Sequence, residues 1–263
     1  MQGFPTRFAG LVCIALSIVG CKNSGSSASS TPPTNATVVG LWTGTDSASG
    51  DTLNAIIDSA NEMVVITSNG TQFVGSLQIS GDTIVSAVDG YANYGGSFSD
   101  NSIYGIGTLN GTVNPGVSIM ATLSFTTNGN TSIPGTWSLT PSEVTSVGSS
   151  LSAVTGSFTD NTTSATVVIS ASGAMSAQNE PGPGCVLSGT IGTADTSINE
   201  YQVSYTLQGC TANATDYTLL NGVAFTGMGY LDFSTNPATL IYAVAGSSAS
   251  GGDFGIVSNL TAP

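Results

Sequence analysis

The chain has 263 residues, of which 6 % are charged; Arg7 and Lys22 are its only bases, set against fifteen acids, and it has no histidine. That length suggests one or two domains, and so acidic a chain repels polyanions, because phosphate binding needs several Lys or Arg. Nucleic acid is excluded as a partner, electrostatic attachment to anionic lipid is disfavoured, and Ser-His-Asp, Cys-His and His-ligated zinc chemistry lack their imidazole.

In chain order, Arg7 precedes an apolar run from Phe8 to Gly20. Thirteen residues at a rise of ~1.5 Å reach about 20 Å, short of a ~30 Å hydrocarbon core. A base, a short apolar run and a small residue at the break describe a secretory signal peptide. Ile18-Val19-Gly20-Cys21 resembles the lipobox of bacterial lipoproteins. The resemblance implies diacylglyceryl transfer to the Cys21 sulfur, cleavage after Gly20 and acylation of the new amine. The membrane is then a partner through the Cys21 lipid anchor, since two or three acyl chains hold firmly where one is marginal. Lys22, where sorting to the inner membrane uses Asp, implies the outer membrane of the bacterial envelope. The stretch 21–36 is rich in Ser with a Pro pair and reads as a flexible tether.

From Thr37 onward, β-type runs of four to eight residues alternate with turn signals such as Asn69-Gly70 and Gly81-Asp82. Helical periodicity is nowhere sustained, so an all-β protein is expected. The halves match. Met63 closes AIIDSANEM and Met175 closes VVISASGAM, an offset of 112; Val74–Ile79 falls on Val186–Ile191 at the same offset. Asn114 begins NPGVSIMA and Asn236 begins NPATLIYA, so the second copy carries about ten extra residues between Ile191 and Asn236. The expected layout is domain 37–140, linker 141–153 and domain 154–263. Each domain is read as an antiparallel meander of about eight strands, closed as an up-and-down barrel or stacked as a sandwich. Gly40-Leu41-Trp42 resembles the opening of lipocalin-like barrels and becomes Gly156-Ser157-Phe158 in the second copy. Trp42 and Phe158 are expected to plug a barrel end or fill a core.

With Cys13 lost in the signal and Cys21 lipidated, Cys185 and Cys210 remain as a pair in an exported protein, which predicts a disulfide. Cys185 begins one strand and Cys210 ends the next. Matching Leu187, Gly189 and Ile191 to Val203, Tyr205 and Leu207 leaves the cysteines one residue out of step, which predicts a bulge or kink near Gly209. Phe73 holds the Cys185 position in the first copy, so packing must replace the bridge there.

No catalytic motif stands out, and neither a cofactor nor a metal is expected. Paired carboxylates are the one route to catalysis left open, with Ser99-Asp100-Asn101 and Thr159-Asp160-Asn161 read first as turns. Asp46, Asp51 and Asp58 crowd the first copy's opening and could touch Ca²⁺. Pro181–Cys185 reads as a stiff turn. Tyr91, Tyr94 and Tyr104 form an aromatic group, read as buried strand aromatics or a carbohydrate surface. The functional expectation is a non-catalytic envelope lipoprotein that holds an apolar or neutral ligand in a barrel mouth, or else a structural or adhesive surface protein. Two acids facing each other across a cleft would favour an enzyme instead.

Overall fold

A computed structural model describes residues 34–212, 215–249 and 251–262; the signal sequence, Cys21 and most of the tether lie outside them. The described chain forms two eight-stranded antiparallel barrels in tandem. The first is built from β1 (Gly40–Asp46), β2 (Thr52–Ile57), β3 (Glu62–Thr67), β4 (Gln72–Ser76), β5 (Gln78–Ser80), β6 (Thr83–Tyr91), β7 (Tyr104–Asn114), β8 (Ser118–Thr127) and β9 (Ser132–Pro141). β4 and β5 are one interrupted strand, since both pair with β6 in a single register from Gln72↔Tyr91 to Ser80↔Thr83. At the break, the Leu77 N–H turns to the Asn61 carbonyl at 2.8 Å. The Ser86 hydroxyl lies 2.9 Å from the freed Ser76 carbonyl and 2.7 Å from the Ala87 carbonyl, and its one proton is shared between them.

The second barrel runs β10 (Gly156–Asp160), β11 (Thr166–Ile169), β12 (Ala174–Gln178), β13 (Val186–Gly192), β14 (Tyr201–Gln208), β15 (Ala224–Asp232), β16 (Thr239–Ser247) and β17 (Asp253–Thr261). The repeat is visible in the pairing. Trp42↔Ala55 recurs as Phe158↔Val167, and Ile57↔Met63 recurs as Ile169↔Met175. Part of the second copy's extra length sits between β13 and β14, where residues 193–200 replace 81–82.

The connection between the barrels is a 3₁₀ turn, Glu143–Val147, and one helical turn, α1 (Leu151–Val154). Val154 is fully buried in the second barrel's core.

Strict alternation governs β8, where every second residue from Ile119 to Thr127 is buried and the others face water. β3 differs, being buried continuously from Met63 to Thr67. Its Met63 and Val65 point into the lumen, while Val64 and Ile66 point outward with Leu41 and Ile56. This outward patch packs on Met228, Tyr230, Ala243 and Val257 of the second barrel. Burying an aliphatic side chain of this size contributes roughly 1.5–3 kcal/mol, so the joint is a third core.

Trp42 and Phe158 are both buried in barrel cores, and the Trp42 indole donates to the Val38 carbonyl at 2.7 Å.

Candidate functional site: a cleft at the seam of the second barrel

Each lumen is filled by its own side chains. Trp137, Phe125 and Phe73 pack edge to face or tilted in the first, with Phe73–Phe125 centroids 5.3 Å apart. Tyr201, Tyr205, Phe225 and Tyr242 fill the second. Eight strands leave room for side chains or one small ligand, and here side chains occupy the lumens. Phe73 supplies packing where the second copy has its bridge.

The open space lies where the second barrel closes. β1 and β9 share five residue pairs, but β10 and β17 share two, Thr159↔Thr261 and Asp160↔Leu260. The lower edge of β17 is thus left without β10. The link between β6 and β7 reaches across from the first barrel and fills it. Asn93 bridges Gly255 in parallel, the Tyr94 N–H donates to the Gly255 carbonyl at 3.0 Å, and the Val257 N–H donates to Asn93 Oδ1 at 2.9 Å. Beside this patch is a cleft of about 390 Å³.

One wall of the cleft is aromatic. Tyr94 and Tyr217 come from different barrels, with ring centroids 5.2 Å apart. Tyr94 also meets Phe254 edge-on, and its hydroxyl donates to the Asp216 carbonyl at 2.5 Å. Burial, then Asp216 and Tyr217, pushes the Tyr94 phenol up to about 12.

The other wall is acidic. Glu180 follows β12, is almost fully buried, and is joined to Pro181 by a cis peptide bond. Its Oε1 lies 3.2 Å from Ser258 Oγ and its Oε2 lies 2.6 Å from Thr163 Oγ1. Thr163 Oγ1 is also 3.1 Å from Asp160 Oδ1, which accepts the Thr162 and Thr163 N–H groups at 2.8 and 2.7 Å. One hydroxyl carries one proton, so it cannot donate to two carboxylates at once. Both contacts are hydrogen bonds only if one carboxyl is protonated. Burial first, and then the charge of Asp160, raises Glu180 to about 7, so below that pH Glu180 is the group that holds the proton. The chain of bonds is then Glu180 to Thr163 to Asp160. Such a wall offers a neutral acid and hydroxyls to a ligand and repels an anion.

The acids flagged in the sequence separate into two groups. Asp160 meets Glu180, a residue that sequence reasoning passed over. Asp46, Asp51 and Asp58 do not converge. Asp46 and Asp51 flank the turn before β2, and Asp58 lies beyond its far end. Asp46 Oδ1 accepts the Ala48 and Thr136 N–H groups, and Asp58 Oδ1 accepts those of Ala60 and Glu62, so these carboxylates tie turns. Asp51 accepts from Ser68 and Asn69 side chains. Among the described residues, no three His, Cys, Asp or Glu side chains are grouped to hold a metal. Asp100 is a turn residue that accepts the Ser102 N–H at 3.0 Å, and Asn101 beside it has φ 66°. The Thr127 hydroxyl, foremost, holds the Asp100 carboxyl well below the usual range.

The expected tyrosine group divides. Tyr91 and Tyr104 stay together at 5.3 Å, with the Tyr104 hydroxyl on Asp89, while Tyr94 crosses to Tyr217. Cys185 and Cys210 are disulfide-bonded. The faces pair as predicted, Leu187↔Leu207, Gly189↔Tyr205 and Ile191↔Val203, and the ladder ends at Val186↔Gln208. The offset is absorbed by Gly209 at φ +70°, a kink just past the strand end. Cys21 lies outside the described residues.

No protein-family model matches the chain, and a search of curated proteins finds no match.

Proposed function

We propose that this chain is a lipid-anchored protein of the bacterial envelope whose paired barrels form a binding module for a neutral, polar ligand with flat faces, of the kind an oligosaccharide presents. The observation that carries the reading is the cleft, which Tyr94 and Tyr217 from two barrels line together with Thr163, Glu180 and Ser258. Aromatic faces with a polar tip suit a ligand that is apolar on one side and wet on the other. Among the described residues no base stands near the acids, which disfavours carboxylate or phosphate ligands. Titration calorimetry with a neutral cello-oligosaccharide, set against the matching oligo-uronate, tests it. Binding of the neutral sugar, lost in Tyr94→Ala and Tyr217→Ala, supports the module; no binding of either sugar removes it.

The filled lumens favour a second reading, a structural or adhesive surface protein that meets macromolecules with its outer faces. A protein that binds neither sugar yet still retains cells on a glycan- or protein-coated surface would support it. The anchor is tested by palmitate labelling, which is expected in the wild type and absent in Cys21→Ser.

A further inference from the structure

The joint between the barrels holds a carboxyl group that nothing else accounts for. Glu200 precedes β14 and is fully buried, and neither of its carboxylate oxygens has a hydrogen-bond partner among the described residues. A buried carboxylate without partners is costly, whereas the same group protonated is merely a poor fit. The residue before it is clamped. The Asn199 amide donates to the Leu231 carbonyl at 2.7 Å and accepts the Leu231 N–H at 3.0 Å, a side chain acting as a strand partner for β15. The Asn199 N–H donates to the Thr145 carbonyl in the connection at 3.1 Å, and Thr145 Oγ1 donates in turn to the Leu41 carbonyl of the first barrel at 2.8 Å. Glu200 is thus fastened at the point where both barrels and their connection meet.

The charges acting on it are all negative. Asp58 faces it from the turn between β2 and β3, and Asp195 from the connection between β13 and β14. The connection and β15 meet this segment through Thr145 and Leu231, which carry no charge. Both bases of the chain lie outside the described residues.

We propose that Glu200 is a proton-operated latch: the barrels stay closed on its neutral carboxyl, and its ionisation loosens the joint between them. The sign follows from burial. Burial first, then Asp58 and Asp195, raises its pKa to about 7 in the closed joint, so the closed form holds a proton that an opened, solvated form releases. Closure is fully supported below about 4.5 and its support is lost as pH rises through about 7. Ionised Glu200 beside Asp58 sets a charge on each side of the joint, and the two repel. The device is independent of the cleft reading.

The methionines provide the test. Met228 lies in the joint, Met63 and Met175 lie in the two lumens, and Met120 is about half exposed. The intact chain is oxidised with dilute peroxide from pH 5.5 to 8.5, and each sulfoxide is quantified by mass spectrometry relative to Met120. Met228 oxidation is expected to rise several-fold across neutrality while Met63 and Met175 stay protected. In Glu200→Gln, Met228 should stay protected throughout; in Glu180→Gln it should respond as in the wild type. A flat Met228 profile, an unchanged rise in Glu200→Gln, or a parallel rise of Met63 and Met175 overturns the latch. If Glu200→Gln does not fold, Asp58→Asn decides. Its amide oxygen can still tie the turn, and removal of the neighbouring charge should move the Met228 rise to lower pH. A rise that stays in place overturns the proposal.

Discussion

Gln72 of the first barrel donates its Nε2–H to the Val244 carbonyl of the second at 2.8 Å, shut away from solvent. Gly255 lies against the same amide. A Cβ on Gly255 would overlap the Gln72 side chain and the Cβ of Tyr91, so the two barrels approach here as closely as a residue without a side chain permits. Gly255→Ala is expected to destabilise the protein by about 1–3 kcal/mol, seen as a lower denaturant midpoint with unchanged slope. Combined with Gln72→Ala the costs should fall short of additive, because the smaller neighbour makes room.

The disulfide closes a loop with a sequence separation of 25. On the chain-entropy account, its removal costs ~3 kcal/mol. Cys185→Ala/Cys210→Ala should therefore lower the melting temperature by several degrees, and reductant should do the same to the wild type but nothing further to the variant. An equal melting temperature with and without reductant would argue against a structural bridge.

Glu180 predicts a slope in stability with pH. Its pKa is raised in the fold from 4.5 to about 7, so the folded state binds the extra proton. Its contribution is complete below about 4.5 and is lost as pH rises through about 7. A shift of this size amounts to at most about 3 kcal/mol. Urea midpoints from pH 5 to 8.5 should fall in the wild type and fall less in Glu180→Gln, with the remaining slope carried by Glu200.

Tyr94 separates packing from hydrogen bonding. Tyr94→Phe removes only the donation to the Asp216 carbonyl and should cost about 1 kcal/mol, while leaving the ring contacts with Tyr217 and Phe254. Tyr94→Ala removes those contacts as well and should cost about 3–5 kcal/mol, with a matching loss of any ligand bound at the cleft. Equal losses in the two variants would assign the effect to the hydroxyl.

Gly189 faces Tyr205 across the β13–β14 ladder, and a Cβ there would overlap Tyr205 and the Ser204 carbonyl. Gly189→Val should therefore destabilise the second barrel despite the higher β propensity of valine. Tyrosine fluorescence against denaturant checks this.

The barrels were legible because alternation and turn signals are local. The pairs Leu187↔Leu207 and Ile191↔Val203 follow from matching apolar faces, and the 112-residue offset brings Met63 onto Met175. The joint carried a signal too. Val64 and Ile66 interrupt the alternation of β3, and such unbroken apolar runs mark strands covered on both faces. The cleft carried none. Asp160 and Glu180 are twenty residues apart on separate turns, and Tyr94 and Tyr217 come from different copies, so only closure of the seam and docking of the barrels brings them together. Glu200 was equally silent, because burial of a lone acid depends on what packs above it.

The two-pair seam between β10 and β17 bears on the order of assembly. The second half of the chain cannot cover its own last strand; that edge is completed by Asn93 and Tyr94, made more than 150 residues earlier than Val257 and Gly255. The earlier-synthesised half carries the backbone and side-chain groups that the final strand needs. With the first copy in place, the open edge of the last strand is covered, which guards it against edge-to-edge association.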